Sequence, residues 1–329
     1  MPIQKRLVQV GYARQSGGKG VFPAQPVFIH GVGGGKVVET KITENPVALT
    51  FASRMSEAAI REQIVPGATF DTMGFSRSLG LLLYGALGTD AVTGAADPYS
   101  HTLTAPSPDL PWLTVWGRYG TDYVQVTDCK VDSLKLDWGL GALKVSAVLI
   151  GCGITYGLAA WTPTNTDDAT VPGLLDQSGA GSANTLINGA SARITKGTID
   201  ILNNLAPIVP SYKSTPDDLA VGEQTAKCTF TVVPDDLSLY KTAVTGTSGG
   251  TTPQQVPYYG SFSAKFVENV TSATHDLTVS ANRASLMIDF PDADPKGGAA
   301  ELTVAGSIWD PRTGAAALTA LLRNAIAAY

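Results

Sequence analysis

The run Gly31-Val32-Gly33-Gly34-Gly35-Lys36 holds residue types that could cradle a phosphate: glycines whose N–H groups line a loop, then a lysine. That chemistry needs glycine where His30 stands, Ser or Thr where Val37 stands, and a helix opening behind the lysine. None of the three conditions is met, so the run reads as a surface loop. Gly246-Thr247-Ser248-Gly249-Gly250 has the letters of a nucleophile elbow. It follows a predicted helix inside a polar tract, whereas an elbow strains its serine between a strand and a helix.

The other candidates dissolve for similar reasons. His30, His101 and His275 lie in unrelated segments with no neighbour at ligand spacing, and they read as single satisfied or solvent-facing side chains. Asp292-Ala293-Asp294-Pro295-Lys296-Gly297 opens like a calcium loop, but Lys296 takes a ligand position and Thr303 stands where the closing Glu belongs. A hairpin turn fits it better. Asp167-Asp168 and Asp235-Asp236 read as a loop pair and a helix-start pair rather than a general acid and base. Asn269-Val270-Thr271 is a glycosylation sequon with no secretion signal ahead of it. Cys129, Cys152 and Cys228 are odd in number and widely spaced, as free buried thiols of a reducing compartment would be. The expectation is a non-enzyme with no catalytic, cofactor-binding or metal residue and no cofactor.

The elements that would position any such side chains are mostly strands. Leu134, Leu136 and Trp138 alternate with Lys135 and Asp137; past Gly139-Leu140-Gly141, Leu143, Val145, Ala147 and Leu149 alternate again. That pattern predicts an antiparallel hairpin with one covered and one wet face. Some 150 residues later Ser133 to Trp138 is echoed by Ser285 to Phe290, and Leu302, Val304, Gly306 and Ile308 follow in the phase of Leu143 to Leu149. Further strands are expected at 7–12, 27–30, 37–42, 47–51, 101–105, 111–118, 193–202, 225–233 and 258–268. Helical spacing predicts helices at 75–87, at 235–244 and, from the stripe Leu318, Leu321, Leu322, Ala325 and Ile326, at 314–327. The fold class is therefore mainly β with a few short helices, in two tandem related units: 1–157, a polar linker or long loop at 158–190, and 191–329.

Composition narrows the function classes. Charged residues are 16% of the 329, below the roughly 25% of ordinary soluble chains. This suits a surface covered by other subunits. A net charge of −5 without a basic run lacks the footprint of a nucleic-acid grip. No apolar run is long enough for a membrane helix.

Several landmarks carry a family resemblance. They are Gly74-Phe75-Ser76-Arg77-Ser78-Leu79-Gly80-Leu81-Leu82-Leu83 leading to Gly85-Ala86-Leu87-Gly88, then His101-Thr102-Leu103, Leu110-Pro111-Trp112-Leu113-Thr114-Val115 and Thr127-Asp128-Cys129-Lys130-Val131-Asp132-Ser133-Leu134. Phe230 to Tyr240 and the terminal segment fit the same pattern. With these the chain resembles tail tube (major tail) proteins of long-tailed, siphovirus-like bacteriophages. The resemblance implies a β-sandwich or barrel unit with a flanking helix, assembled into rings that stack as a hollow tail tube. It implies three chains per ring if each holds two tube units and six otherwise. It also implies other tail proteins (tape measure, tail tip, terminator) as partners, genome DNA passing without specific binding along an Asp- and Thr-lined lumen, and a virion protein folded and assembled in the host cytoplasm. A contractile tail's inner tube stays open. The alternative is a carbohydrate- or receptor-binding β-sandwich, for which Trp112, Trp116, Tyr119 and Tyr123 would form an exposed aromatic platform.

Overall fold

The structure is a computed structural model, and it describes residues 8–31, 33–47, 58–139, 141–162, 173–176, 186–188, 190–191, 193–247, 249–268, 274–289 and 301–329. Strands β1 (Val8–Arg14), β2 (Phe28–Gly31), β3 (Gly34–Val47) and β4 (Ala58–Met73) lead to helix α1 (Ser76–Leu87). β5 (Ala91–Thr93), β6 (Tyr99–Ala105), β7 (Leu113–Tyr119), β8 (Asp122–Trp138), β9 (Lys144–Ile150) and β10 (Gly153–Tyr156) follow. Short β11 (Leu175–Asp176), β12 (Leu186–Ile187) and β13 (Ala190–Ser191) lead to β14 (Arg193–Leu202). β15 (Ala206–Ile208) and β16 (Asp218–Ala220) form a small sheet of their own before β17 (Thr225–Val233) and α2 (Ser238–Thr245). β18 (Tyr259–Val267), β19 (Asp276–Ile288), β20 (Leu302–Ile308) and β21 (Leu318–Asn324) complete the chain.

One antiparallel run, β3-β4-β9-β8-β14-β17-β20-β19, forms the central sheet. β8 leaves this sheet at its start. Residues up to Cys129 pair with β7 and β10, and residues from Lys130 on pair with β9 and β14. The change falls at Asp128, whose φ of 50° is one of the few positive values outside glycine, and whose Oδ1 accepts the Gly20 N–H at 2.7 Å. Helix α1 packs against β8, β6 and β21, and Leu134, Leu136, Leu143, Val145, Ala147 and Leu149 are buried on one side of the hairpin as the alternation requires. α1 is apolar nearly all round and buried, and it ends at Gly88 with φ 90°.

The C-terminal segment corrects the sequence reading. Residues 314–327 are not a helix; Leu318–Asn324 is β21, bonded to β19 on one side and β6 on the other. Leu318, Ala320, Leu322 and Asn324 are buried at period two. In so short an apolar run the helical and extended patterns coincide, and the two open strand edges decide between them. The turn before it, with Asp310 Oδ1 accepting the Arg312 N–H at 2.8 Å and Arg312 at φ 59°, is an Asx-type turn rather than a helix start. Two other boundaries move. α2 begins at Ser238, not 235, because Asp236 Oδ1 accepts the Ser238 N–H at 2.8 Å. β3 already begins at Gly34, inside the stretch expected to be a loop. The expected strand at 47–51 falls mostly outside the described residues.

Candidate assembly surface

The central sheet has one face against the core and one whose described side chains are half-buried or exposed, the bare face. Register pairs carry side chains of the bare face across the sheet in rows. One row runs Asp71, Ser146, Lys135, Asp200, Lys227, Ser307, Ser285. A second runs Met73, Lys144, Asp137, Thr198, Thr229, Ala305, Met287. Lys135 and Asp137 are half-buried opposite the core, as their alternation with Leu134 and Leu136 demands. Together the rows hold three aspartates and three lysines, with Lys135 facing Asp200 and Lys144 facing Asp137.

The two halves of this sheet pair in the same order. β4 lies between β3 and β9, and β9 against the second part of β8; β17 lies between β14 and β20, and β20 against the second part of β19. β7 and β10 flank the first part of β8, as β18 and β21 flank the first part of β19. Each helix follows the corresponding strand, α1 after β4 and α2 after β17. Ser133 opposite Val148 and Leu136 opposite Val145 correspond to Ser285 opposite Ser307 and Ile288 opposite Val304.

The halves join where β8 meets β14, through six register pairs from Ser133–Leu202 to Trp138–Gly197. Gly197 is required there: a Cβ would lie 2.2 Å from Trp138 Cζ2. Trp138 is 2% exposed and packs edge-on against Phe266 at 5.0 Å. Beyond Gly67, which abuts the Leu149 carbonyl, β3 and β4 leave the sheet as a two-stranded arm. The β15–β16 hairpin leaves after β14 in the same way, and Ile64 N donates to Ser214 O at 2.7 Å between the two arms. Tyr212 at its tip is 75% exposed.

The three histidines stand in separate settings. His30 is buried with Nε2 2.7 Å from Tyr12 Oη, and burial lowers its pKa to about 4. His101 donates Nδ1–H to Asp90 at 3.0 Å and Nε2–H to the Ile326 carbonyl at 2.7 Å. Burial works to lower its pKa, but the Asp90 hydrogen bond, the Ile326 carbonyl and the Asp90 charge together raise it. His275 bridges Glu268 at 2.7 Å and Asp97 at 2.8 Å, tying the ends of β18 and β19 to the β5–β6 turn. Among the described residues no three His, Cys, Asp or Glu side chains are grouped to hold a metal.

Gly31 closes β2 and Gly34 opens β3, so no helix follows Lys36. Gly246 is the C-cap of α2 with φ 76°, which makes the 246–250 match a helix stop. All three thiols are buried, and burial pushes Cys152 up to about 11 and Cys228 up to about 12. Asp167-Asp168, the 292–297 loop and the 269–271 sequon fall outside the described residues.

The four aromatics do not form a platform. Trp116 is 2% exposed in the core, Tyr119 Oη accepts the Val38 N–H at 2.9 Å, and Trp112 lies under the Lys130 ammonium at 4.3 Å. Sequence reasoning missed β4, whose outline is hidden by Pro66-Gly67 in mid-strand. It also could not see the charge rows, which exist only once register is known.

The described residues thus form a mainly antiparallel β-scaffold built around one large sheet. A family model described as phage tail tube protein matches residues 6–308. No curated protein matches the chain. The chain belongs to the phage tail tube protein family and is a structural protein of the phage tail. Among the described residues no helix is long and apolar enough to cross a membrane.

Proposed function

We propose that three copies of this chain close a ring, that rings stack into the hollow tail tube, and that the genome passes through it. Each chain supplies two tube units, 1–157 and 191–329, connected through 158–190. The observation that carries the reading is the matched strand order of the two halves about the β8–β14 junction. Two equivalent units joined edge to edge in one sheet have the geometry of two neighbours in a closed ring.

The bare face of the central sheet is the wall we assign to the lumen. The sequence led us to expect an Asp- and Thr-lined wall repelling DNA. The rows instead pair aspartates with lysines, so their fields largely cancel at the distance of a passing phosphate. Repulsion then comes from the net −5 per chain, while the wall offers serine, threonine and neutralised pairs with no cluster of cations to stick to. The arms, with exposed Ile42, Ile208 and Tyr212, are suited to contacts between stacked rings. Tape-measure, tip and terminator proteins complete the assembly in the host cytoplasm before it becomes part of the virion.

Electron microscopy of the purified chain, averaged along the tube axis, tests this reading. Hollow rings whose three-fold symmetry approximates six-fold are expected. Rings of six chains, or a protein that remains monomeric with its tail partners present, would refute it.

A further inference from the structure

We infer that the outer edge of β3 pairs with the free end of β19 from a second copy of the chain, in the register by which β14 pairs with β8 inside each copy. The inference deepens the ring reading and rests on it.

Three sets of described pairings fix the correspondence. Val148 lies between Ser133 and Thr69, and Thr69 is opposite Lys36. In the other half Ser307 lies between Ser285 and Lys227, and Lys227 is opposite Asp200. Lys36 therefore holds in β3 the place that Asp200 holds in β14, and Met287 holds in β19 the place of Lys135. Inside the chain Lys135 faces Asp200 and Asp137 faces Thr198. Carried to the outer junction, Met287 faces Lys36, Ile288 faces Gly35 and Asp289 faces Gly34.

Among the described residues both edges are open where this requires it. β3 pairs with β4 and with no other strand among the described residues. β18 covers β19 as far as Ser285, the Leu286 N–H reaches the Tyr258 carbonyl at 3.1 Å, and beyond that, among the described residues, β19 pairs only with β20. Met287, at this free end, is 71% exposed. An unpaired edge beside an exposed apolar side chain is what a soluble chain guards against unless a partner strand covers it. The occupant must be another copy. Within one chain the two edges are seven strand steps apart, roughly 34 Å at about 4.8 Å per step. Charge agrees: the stem of Lys36 can cover Met287, and its exposed ammonium, which bonds Glu39 at 2.9 Å in the single chain, can turn to Asp289 on the same face.

Cysteine pairs test the register. The chain with Lys36→Cys and Met287→Cys is oxidised under assembly conditions and run without reductant; the three native thiols are buried and stay silent. A covalent ladder ending at three chains is expected, absent from either single variant. It should also be absent when Thr40→Cys replaces Lys36→Cys, because four residues along a strand move the thiol about 13 Å.

Tubes in micrographs without the ladder, or an equal ladder with Thr40→Cys, would overturn the pairing and leave the ring reading standing. Wild-type chain that stays monomeric would remove both. Hydrogen exchange on unmodified protein covers the case of a variant that fails to assemble. The Ile288 amide, which alternation turns to the same outer edge as the Leu286 N–H, and the outward amides within 34–36 should slow about tenfold or more on assembly, and unchanged rates there would overturn the pairing; the Asp289 N–H already bonds the Thr303 carbonyl at 3.1 Å.

Discussion

Gly197→Ala probes the internal junction directly. The new Cβ would lie 2.2 Å from Trp138 Cζ2 and 2.5 Å from Cε2, well inside contact distance. The indole has nowhere to withdraw, since Phe230 stands at 5.9 Å, Phe266 at 5.0 Å and the side chain is 2% exposed. Relief requires parting β8 from β14 or an off-rotamer Trp138, an overpacking cost of about 1–3 kcal/mol. In an open strand the same change would gain about 0.4–1 kcal/mol by stiffening the unfolded chain, so the sign itself is diagnostic. An unfolding entropy of about 2.1 cal/mol/K per residue gives roughly 0.7 kcal/mol/K for this length, hence a Tm lower by about 1–4 °C. Thermal unfolding followed by near-ultraviolet circular dichroism reads both stability and the Trp138 environment. Trp138→Phe in the Gly197→Ala background should lose less than the sum of the two single changes. A Gly197→Ala chain as stable as wild type, with unchanged aromatic signal, would refute the reasoning.

Other side chains give independent predictions. Asp276, buried opposite Arg323 and 3.3 Å from the Lys265 ammonium, holds β21 in the sheet. Asp276→Ala should cost about 2–4 kcal/mol in urea unfolding, at the low end of a broken buried pair because Arg323 is partly exposed. His30 has its pKa lowered to about 4, so its contribution is full above the unfolded value near 6.5 and is lost as pH falls toward 4. His30→Gln should flatten that acid limb, which amounts to about 3 kcal/mol of stability between those two pH values. His101 runs the opposite way. With its pKa raised, its grip on the Ile326 carbonyl is full below about 6.5 and fades as pH climbs through the raised value, so exchange at residues 324–329 should quicken in mild alkali. The native chain should resist thiol reagents at neutral pH and take up three labels only when unfolded.

How far the sequence reached depended on whether a segment's neighbours left a mark in it. β14 and β17 were legible to the residue, at 193–202 and 225–233, because from Gly197 and from Lys227 onward each alternates between a buried and a bare face. The Ser133–Leu149 hairpin was legible for the same reason, and α1 announced itself by Leu79, Leu82, Leu83 and the glycine stop. β21 was misread because Leu318-Thr319-Ala320-Leu321-Leu322 satisfies both periods, and only the open edges of β6 and β19 choose one. β4 was missed because Pro66 and Gly67 look like a turn, yet Gly67 pairs with Ile150 of β9, and a Cβ there would lie 2.7 Å from the Leu149 carbonyl. The aromatic platform failed at Trp116, since nothing in the sequence distinguishes a core tryptophan from a displayed one. For the assembly surface the gap is one of kind. The residues Lys135, Asp200, Lys36 and Met287 carry no local signature, and their relation appears only when strand register is known.

Placing two units in one chain changes the energetics of ring closure. In the proposed ring, three of six junctions are the six-pair β8–β14 seam, formed during folding at an effective concentration that association between chains cannot match. The other three have only the short free end of β19 and the edge of β3, where glycines at 34 and 35 supply no side-chain contact. A subunit can then fold completely and stay unassembled, because its weak junction alone does not meet the cost of lost translational freedom. Several weak junctions formed together, with arms engaging the ring below, can meet it. This predicts that growth starts from an existing ring, and that weakening the contact at the weak junction, by an Asp289→Asn change that removes the charge within reach of Lys36, would raise the concentration at which tubes form spontaneously. Turbidity or sedimentation against concentration measures that threshold, and a threshold unmoved by changes at β3 or β19 would place the limiting contact in the arms instead.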